Sequence, residues 1–352
     1  MPTHPGLWSL LAVAALAGSA PAQGATYDLP SDGSTVIGRT QLVVASAENT
    51  LLDLARHFDL GYEEMLLANP GVSVWLPAAS VPLVVPGQLI LPQAPWVGIV
   101  VNIPQHRLYY FPAAVRGQPR QVLTYPLGVA REGWSTPRGL TQVIAKYRDP
   151  AWLVPLRTRN ERALDNEAEM PEYFPPGPDN PMGMHAIATG FKGIFIHGTN
   201  RPWGVGMRSS HGCLHLYPED ASELFALVQA GTPVRIVDQP FLVGNDHGRW
   251  VMASYPLVPE YHSAQSPFTR AFETVGVVIS AQGAPLHSEI AWDRVQRAVD
   301  EAQAVPLAIE AEQADMAPWL ASQPVLRYDY RPYGLDANNG RLPSPLAEDT
   351  AR

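Results

Sequence analysis

The sequence predicts an α+β protein with a β-rich centre: a small βααβ unit, then a mostly-β domain, then a mixed C-terminal extension. Three observations lead to this reading. Short apolar runs bounded by Gly or Pro, several of them rich in Val and Ile, recur between 98 and 237, as buried strands do. Two stretches with helical apolar spacing lie between strand-like runs inside 37–93. The 36 prolines among 352 residues favour turns and extended connections over a helical bundle. That length exceeds one ordinary domain, and 46% hydrophobic against 16% charged residues is the composition of a folded chain.

The elements follow in chain order. Residues 7–17 are an apolar run too short to span a bilayer, and Ala20-Pro21-Ala22 offers an A-x-A cleavage site. Residues 1–22 therefore read as a secretory signal peptide, although residues 1–6 lack Lys and Arg. No cysteine follows the run, which excludes a lipoprotein anchor, and the mature chain is expected outside the cytoplasm. In the first unit, residues 41–44 read as a strand. Apolar positions 51, 54, 55 and 58 then follow helical spacing, with Asn49 or Thr50 as N-cap. A second helix over 62–68 stops at Asn69-Pro70-Gly71, and 84–92 returns as a strand.

The middle zone, 97–238, opens with strands over 98–103 and 107–111 flanking Pro104-Gln105-His106, a hairpin signal. Further strands are expected over 121–126, 141–146, 193–197 and 233–237. Residues 220–229 form a short amphipathic helix ended by Gly231. The Pro/Gly-rich 171–184 reads as a loop over a site. Residues 239–334 form an extension without a readable motif; within it Ser288 caps an expected helix over 289–304, stopped by Pro306. Residues 335–352 are polar and read as a disordered tail.

Charge and cysteine count narrow the function. With 24 basic residues against 33 acidic ones, the net charge of −9 argues against a nucleic-acid partner. The lone cysteine, Cys213, cannot form an intramolecular disulfide, a Cys-rich zinc site or an iron–sulfur cluster. In an exported chain a free thiol is exposed to oxidation, so Cys213 is either an inert core residue or the purpose of the chain.

The stretch from 196 to 216, Ile-His-Gly-Thr-Asn-Arg-Pro-Trp-Gly-Val-Gly-Met-Arg-Ser-Ser-His-Gly-Cys-Leu-His-Leu, favours the second reading. A thiol at its ordinary pKa of ~8.5 is mostly protonated at neutral pH, and a nearby imidazole can take that proton. His197 at a strand end is a rigid base. Gly198 and the later glycines let the loop fold back, and Gly212 lets backbone N–H groups turn toward a developing oxyanion. These are the parts of an acyl-transfer site. Competing readings are blander. Cys213 alone could be a small core hydrophobe, and Gly204 and Gly206 could mark a merely flexible loop. His211 and His215 have zinc-like spacing, but no Asp or Glu lies inside 197–216, so neither a metal nor a cofactor is expected. Arg201 and Arg208 are either solvated charges or contacts to an acidic peptide. Trp134 and Trp152 read as packing residues.

The segment resembles the active-site signature of the YkuD-type L,D-transpeptidases, a His-Gly, a loop, then Ser/Thr-His/Arg-Gly-Cys. Tyr125-Pro-Leu-Gly-Val129, Ser135-Thr-Pro-Arg-Gly139, Asp149-Pro-Ala-Trp152 and Asn180-Pro-Met-Gly183 look like the family's other landmarks in its order, covering most of 97–238. Residues 37–93, closing on Pro86-Gly-Gln-Leu-Ile-Leu-Pro92, resemble a LysM module, which binds the N-acetylglucosamine-containing glycan of peptidoglycan or chitin. The pair is similar to periplasmic enzymes of Gram-negative bacteria. The resemblance implies a mostly-β catalytic domain with Cys213 as nucleophile and His197 as base, oriented by a backbone carbonyl after it. It implies an oxyanion hole from the N–H groups of His211, Gly212 and Cys213, with Ser210 and Arg208 shaping the site. The implied donor is a peptidoglycan stem peptide that loses its terminal D-alanine. The acceptor is a second stem, an envelope lipoprotein, a D-amino acid or water; water would make it a cysteine amidase or L,D-carboxypeptidase. A catalytically silent peptidoglycan-binding protein is the third possibility. His215 replaces the family's usual Asn or Arg, where a protonated imidazole could meet a substrate carboxylate.

Overall fold

The computed structural model describes residues 25–45, 49–75, 77, 81–164, 170–283, 290–311, 316–323 and 325–327. The expected signal peptide, the expected tail and Ser288 lie outside the described residues. Strand β1 (Ala25–Asp28) comes first, then β2 (Val36–Ile37) and the unit β3 (Gln41–Val44), α1 (Leu51–His57), α2 (Tyr62–Ala68) and β4 (Pro82–Val85). The run read as one strand over 84–92 breaks at Pro86-Gly87, and β5 (Leu89–Ile90) pairs instead with β2. Thr50 is the N-cap of α1. Its Oγ1 accepts from Asp53 N–H at 3.1 Å while the Asp53 carboxylate accepts from Thr50 N–H at 2.9 Å, a reciprocal capping box. Asn69 ends α2 and ties it to β4: its Nδ2 donates to the Met65 and Val84 carbonyls, each at 2.8 Å, and its Oδ1 accepts from Val84 N–H.

The central zone runs β6 (Gly98–Asn102), β7 (Arg107–Phe111), β8 (Gln121–Pro126), β9 (Val129–Ala130) and β10 (Gly139–Arg148). Then come β11 (Trp152–Leu153), α3 (Leu156–Leu164), β12 (Tyr173–Phe174), β13 (His185–Thr189) and β14 (Phe195–His197). It closes with β15 (Arg208–Ser210), β16 (Leu214–His215), α4 (Pro218–Leu227) and β17 (Pro233–Val237). The segment 171–184, read as pure loop, contributes β12, which pairs with β11. Nine strands form one sheet in the order β1-β8-β7-β6-β17-β10-β13-β14-β16. Alternate residues divide between its faces. Ile99, Val101, Leu108, Leu123 and Ile236 join Leu224 of α4 on one side, while Val100, Tyr109 and Val122 meet Tyr27, Ile37 and Leu89 on the other. Burial of both faces is why β6 reads as an unbroken apolar run.

The extension contains β18 (Phe241–Asp246), β19 (Arg249–Ser254), α5 (Pro267–Ala281), α6 (Trp292–Glu301), β20 (Leu307–Ala308), α7 (Met316–Ala321) and β21 (Val325–Arg327). The helix expected over 289–304 is the shorter α6, with Ala302 in the left-handed region at its C-cap. The hairpin β18–β19 turns on His247-Gly248, both at positive φ, as tight two-residue turns require. This zone is not an appendage. Strand β21 adds in parallel to β3, and Trp319 and Leu320 pack on Leu42, Ala68 and Val84 of the first unit.

Buried ions fasten the first unit to the sheet. Arg107 of β7 reaches Glu64 of α2 through Nε–Oε1 and Nη2–Oε2 contacts, both 2.7 Å, with side chains 1% and 3% exposed. Arg56 of α1 makes a second bidentate pair with Glu219 of α4. Among the described residues no helix is long and apolar enough to cross a membrane.

Candidate active site

Strands β14 and β16 run parallel, with Ile196 opposite Leu214 and His197 opposite His215. Side chains alternate along a strand, so this register puts His197 and His215 on one face, and Cys213 stands in the turn directly before β16. The His197 and His215 rings lie 4.7 Å apart. The thiol of Cys213 faces the Gly193 carbonyl at 3.6 Å, and the Phe195 backbone also bonds it.

His197 is 5% exposed, and its Nδ1 lies 2.7 Å from the Gly198 carbonyl. A carbonyl can only accept, so Nδ1 carries the proton and Nε2 is left with the lone pair of a base. Burial pushes the ring down to about 4, against the opposing pull of the Gly198 and Met182 carbonyls. The Met182 carbonyl belongs to the loop that Asn180 fastens. Asn180 Nδ2 donates to the Pro150 carbonyl at 2.8 Å and its Oδ1 accepts from Met182 N–H at 2.9 Å. Gly183 (φ 63) then lies so close to the strand end that a Cβ would sit 2.8 Å from Thr199 N.

The residues between His197 and Cys213 form a strap held along its length. The Val205 and Gly206 carbonyls accept from the Tyr62 and Glu63 N–H groups at the start of α2, and Gly206 O also meets His106 Nδ1 at 2.7 Å. A Cβ on Gly206 would overlap the Gly61 and Tyr62 backbone, so this glycine is a packing position rather than a flexible joint. Further along, Val129 N–H donates to Met207 O and Arg131 N–H to Ser210 O.

At the end of the strap Ser210 closes the turn. Its Oγ donates to the Cys213 carbonyl at 2.6 Å and accepts from Gly212 N–H at 3.1 Å. The Gly212 N–H is thus occupied, unlike the free donor expected of it. The Gly212 carbonyl accepts from Thr136 Oγ1 at 2.8 Å. Because the peptide is planar and trans, the N–H of Cys213 points away from Thr136. Gly212 has φ +117, and a Cβ would press on Ile194 and the Ser135 carbonyl.

The other expected site residues divide. His211 stands edge-on to Trp134 at 4.6 Å, and the Arg157 guanidinium lies 3.9 Å over the Trp134 ring. Arg208 is ion-paired to Glu260 at 2.7 Å and donates from Nε to the Ala130 carbonyl. Arg201 is exposed. His215 does not supply a positive charge: burial, with His197 and His211 beside it, pushes it well below the ordinary histidine range. Trp152 stacks on Phe174 as a packing residue. Among the described residues no three His, Cys, Asp or Glu side chains are placed to hold one metal ion.

Burial pushes the Cys213 thiol up to about 11, opposed by the Phe195 backbone bond. Thiol and imidazole are therefore both neutral across ordinary pH, and a thiolate would form at Cys213 only as a base takes its proton. Two pH results are expected. Iodoacetamide alkylation should be slow at pH 7 and still rising at pH 9.5. The acid limb of turnover should fall near pH 4, since only neutral His197 can act as base. An acid limb near 6.5 would mean that another group titrates. Buried His106 is likewise pushed down to about 4. Between 6.5 and 4 the unfolded chain binds protons that the folded chain refuses, so stability falls as pH drops, by roughly 3 kcal/mol per histidine at pH 4.

A thiol on a clamped turn and a buried imidazole of fixed tautomer are the groups that a thiol-dependent acyl transfer needs. The comparisons agree. The L,D-transpeptidase catalytic domain model, YkuD, matches residues 97–236. The protein named "Probable L,D-transpeptidase ErfK/SrfK" from Salmonella typhimurium is 40% identical over 237 residues, 66% of this chain and 75% of the relative. Its namesake from Escherichia coli is 39% identical over 261 residues, covering 70% and 82%. "Probable L,D-transpeptidase YbiS" from Escherichia coli is 37% identical over 241 residues, covering 67% and 77%. The chain belongs to the L,D-transpeptidase family.

Sequence reasoning placed Cys213, His197, Ser210 and Gly212 together. It missed Thr136 and Met182 as contacts, although both fall in phrases it had singled out. Glu260 and Tyr261 carried no signal at all.

Proposed function

We propose that this chain is an exported L,D-transpeptidase acting on peptidoglycan stem peptides in the periplasm. The observation that carries the reading is His197 at the end of β14 beside the Cys213 turn that leads into its parallel partner β16. The Cys213 sulfur attacks the carbonyl between the third and fourth stem residues as its proton passes to His197 Nε2. The Cys213 N–H, directed away from Thr136, meets the developing oxyanion. Collapse expels the terminal D-alanine, whose amine takes the proton from His197, and leaves a thioester. An acceptor amine then attacks, losing a proton to His197, and the thiol is restored. No cofactor enters these steps.

Residues 37–93 we read as a LysM-like glycan-binding unit, a reading supported by the strand–helix–helix–strand order and the antiparallel β3–β4 pairing. Incubation with purified tetrapeptide stems tests the activity. Cross-linked dimers and free D-alanine are expected; tripeptides without dimers would make the protein a carboxypeptidase, and unchanged stems would leave only binding. Co-sedimentation with intact sacculi tests the glycan reading, which fails if the protein stays in the supernatant.

A further inference from the structure

Two adjacent residues of the extension reach the nucleophile's turn from outside. Glu260 Oε2 accepts from Arg208 Nη2 at 2.7 Å, and its Oε1 accepts from Gly133 N–H at 2.8 Å. One carboxylate thereby joins the strap to the turn over 131–136. Tyr261 Oη donates to the Thr136 carbonyl at 2.7 Å, and Thr136 Oγ1 is the group that bonds the Gly212 carbonyl. Tyr261 is anchored in turn. It is 7% exposed, belongs to the core of the central sheet with Val258, and carries the Arg138 guanidinium 4.5 Å over its ring. The Gly212–Cys213 peptide is thus held by Thr136 from the facing turn, while Ser210 bonds the peptides on either side of it; Tyr261 reaches the first contact through Thr136, and Glu260 grips the strand of Ser210 through Arg208.

We propose that Glu260 and Tyr261 are positioning residues for acyl transfer: through Arg208, Gly133 and Thr136 they set the direction of the Cys213 N–H toward the oxyanion. The proposal rests on the transpeptidase reading of Cys213. An oxyanion donor acts only from the right place, and a displacement of about 1 Å can cost on the order of 100-fold in rate. The residues touch no reacting atom, so their loss should slow steps that form an oxyanion and spare those that do not.

The test compares two reactions of the same thiol in the full-length protein. A carbapenem acylates through an oxyanion; iodoacetamide alkylates by direct displacement without one. In Glu260→Gln and in Tyr261→Phe, acylation followed by intact mass should slow about tenfold or more. Iodoacetamide alkylation should stay within about twofold, and the thermal midpoint should change little. On stems, kcat should fall with KM retained. Tyr261→Phe removes one hydroxyl and keeps the ring over Arg138, so it carries the test even if Glu260→Gln folds poorly. Unchanged acylation in folded variants overturns the proposal, and so does a parallel loss of both reactions. A parent protein that is never acylated overturns the transpeptidase reading as well; an acylated parent with indifferent variants overturns only the positioning role.

Discussion

Replacing Cys213 by serine is expected to reduce dimer formation on tetrapeptide stems to background, a loss of about 10^4-fold or more. The reasoning lies in the resting state. His197 is a weak base, held near 4 by burial, and even the Cys213 thiol is pushed up to about 11. A serine hydroxyl in the same pocket is a far weaker acid, so a weak base such as His197 draws its proton far less readily. The substitution should leave the fold alone. Among the described residues Sγ bonds only the Gly193 carbonyl, at 3.6 Å, and the Phe195 backbone, and the turn is closed by Ser210, Gly212 and Thr136, none of which changes. An unaltered thermal midpoint, no carbapenem adduct and no dimers are therefore expected together. Dimers above about 1% of the parent level, in a variant shown by mass to be free of cysteine, would place the nucleophile elsewhere.

Breaking the Arg107–Glu64 pair is expected to have the largest effect on stability. Arg107 is 1% exposed, and its guanidinium also donates to Thr124 Oγ1 at 3.0 Å and to the Asp59 carbonyl at 2.9 Å. Burial raises the Glu64 carboxyl while Arg107 opposes that rise. Glu64→Gln strands a buried cation and should cost about 3–5 kcal/mol, because the lost partner is not replaced by water. Glu64→Leu with Arg107→Met removes both charges and should recover much of the loss, short of about 1 kcal/mol for the Gly61 N–H that Glu64 also caps at 2.7 Å. Denaturant midpoints would check both, and a single variant within about 1 kcal/mol of the parent would refute the account. The same pair shows why the first unit cannot simply be cut away: deletion of 37–93 would strand Arg107 and, through Arg56, the carboxylate of Glu219.

Helices α1 and α2 were legible because each carries a local apolar period and a local stop, Thr50 at one start and Asn69 at one end. The core strands of 98–126 were legible because both faces are buried. The short strands β9, β12 and β16 were not, since two residues hold no period and exist only by pairing with distant partners. The hairpin at 241–254 was missed although His247-Gly248 marks its turn. The first strand, β1, was missed because four residues beyond the expected signal peptide gain their place only by pairing with β8.

The lone thiol, the His-Gly and Ser-His-Gly-Cys phrases and their order were determined by the sequence alone, because motif and turn chemistry are written in neighbouring residues. Tertiary structure alone decided the state of those groups. Burial keeps His197, His215 and Cys213 neutral, and a hydroxyl two residues away occupies the Gly212 N–H. The turn is held by Thr136 and by Tyr261, which lies 125 positions beyond Thr136 in the chain. Solvent exclusion and contacts at such separation depend on how the chain packs, and no local pattern encodes them.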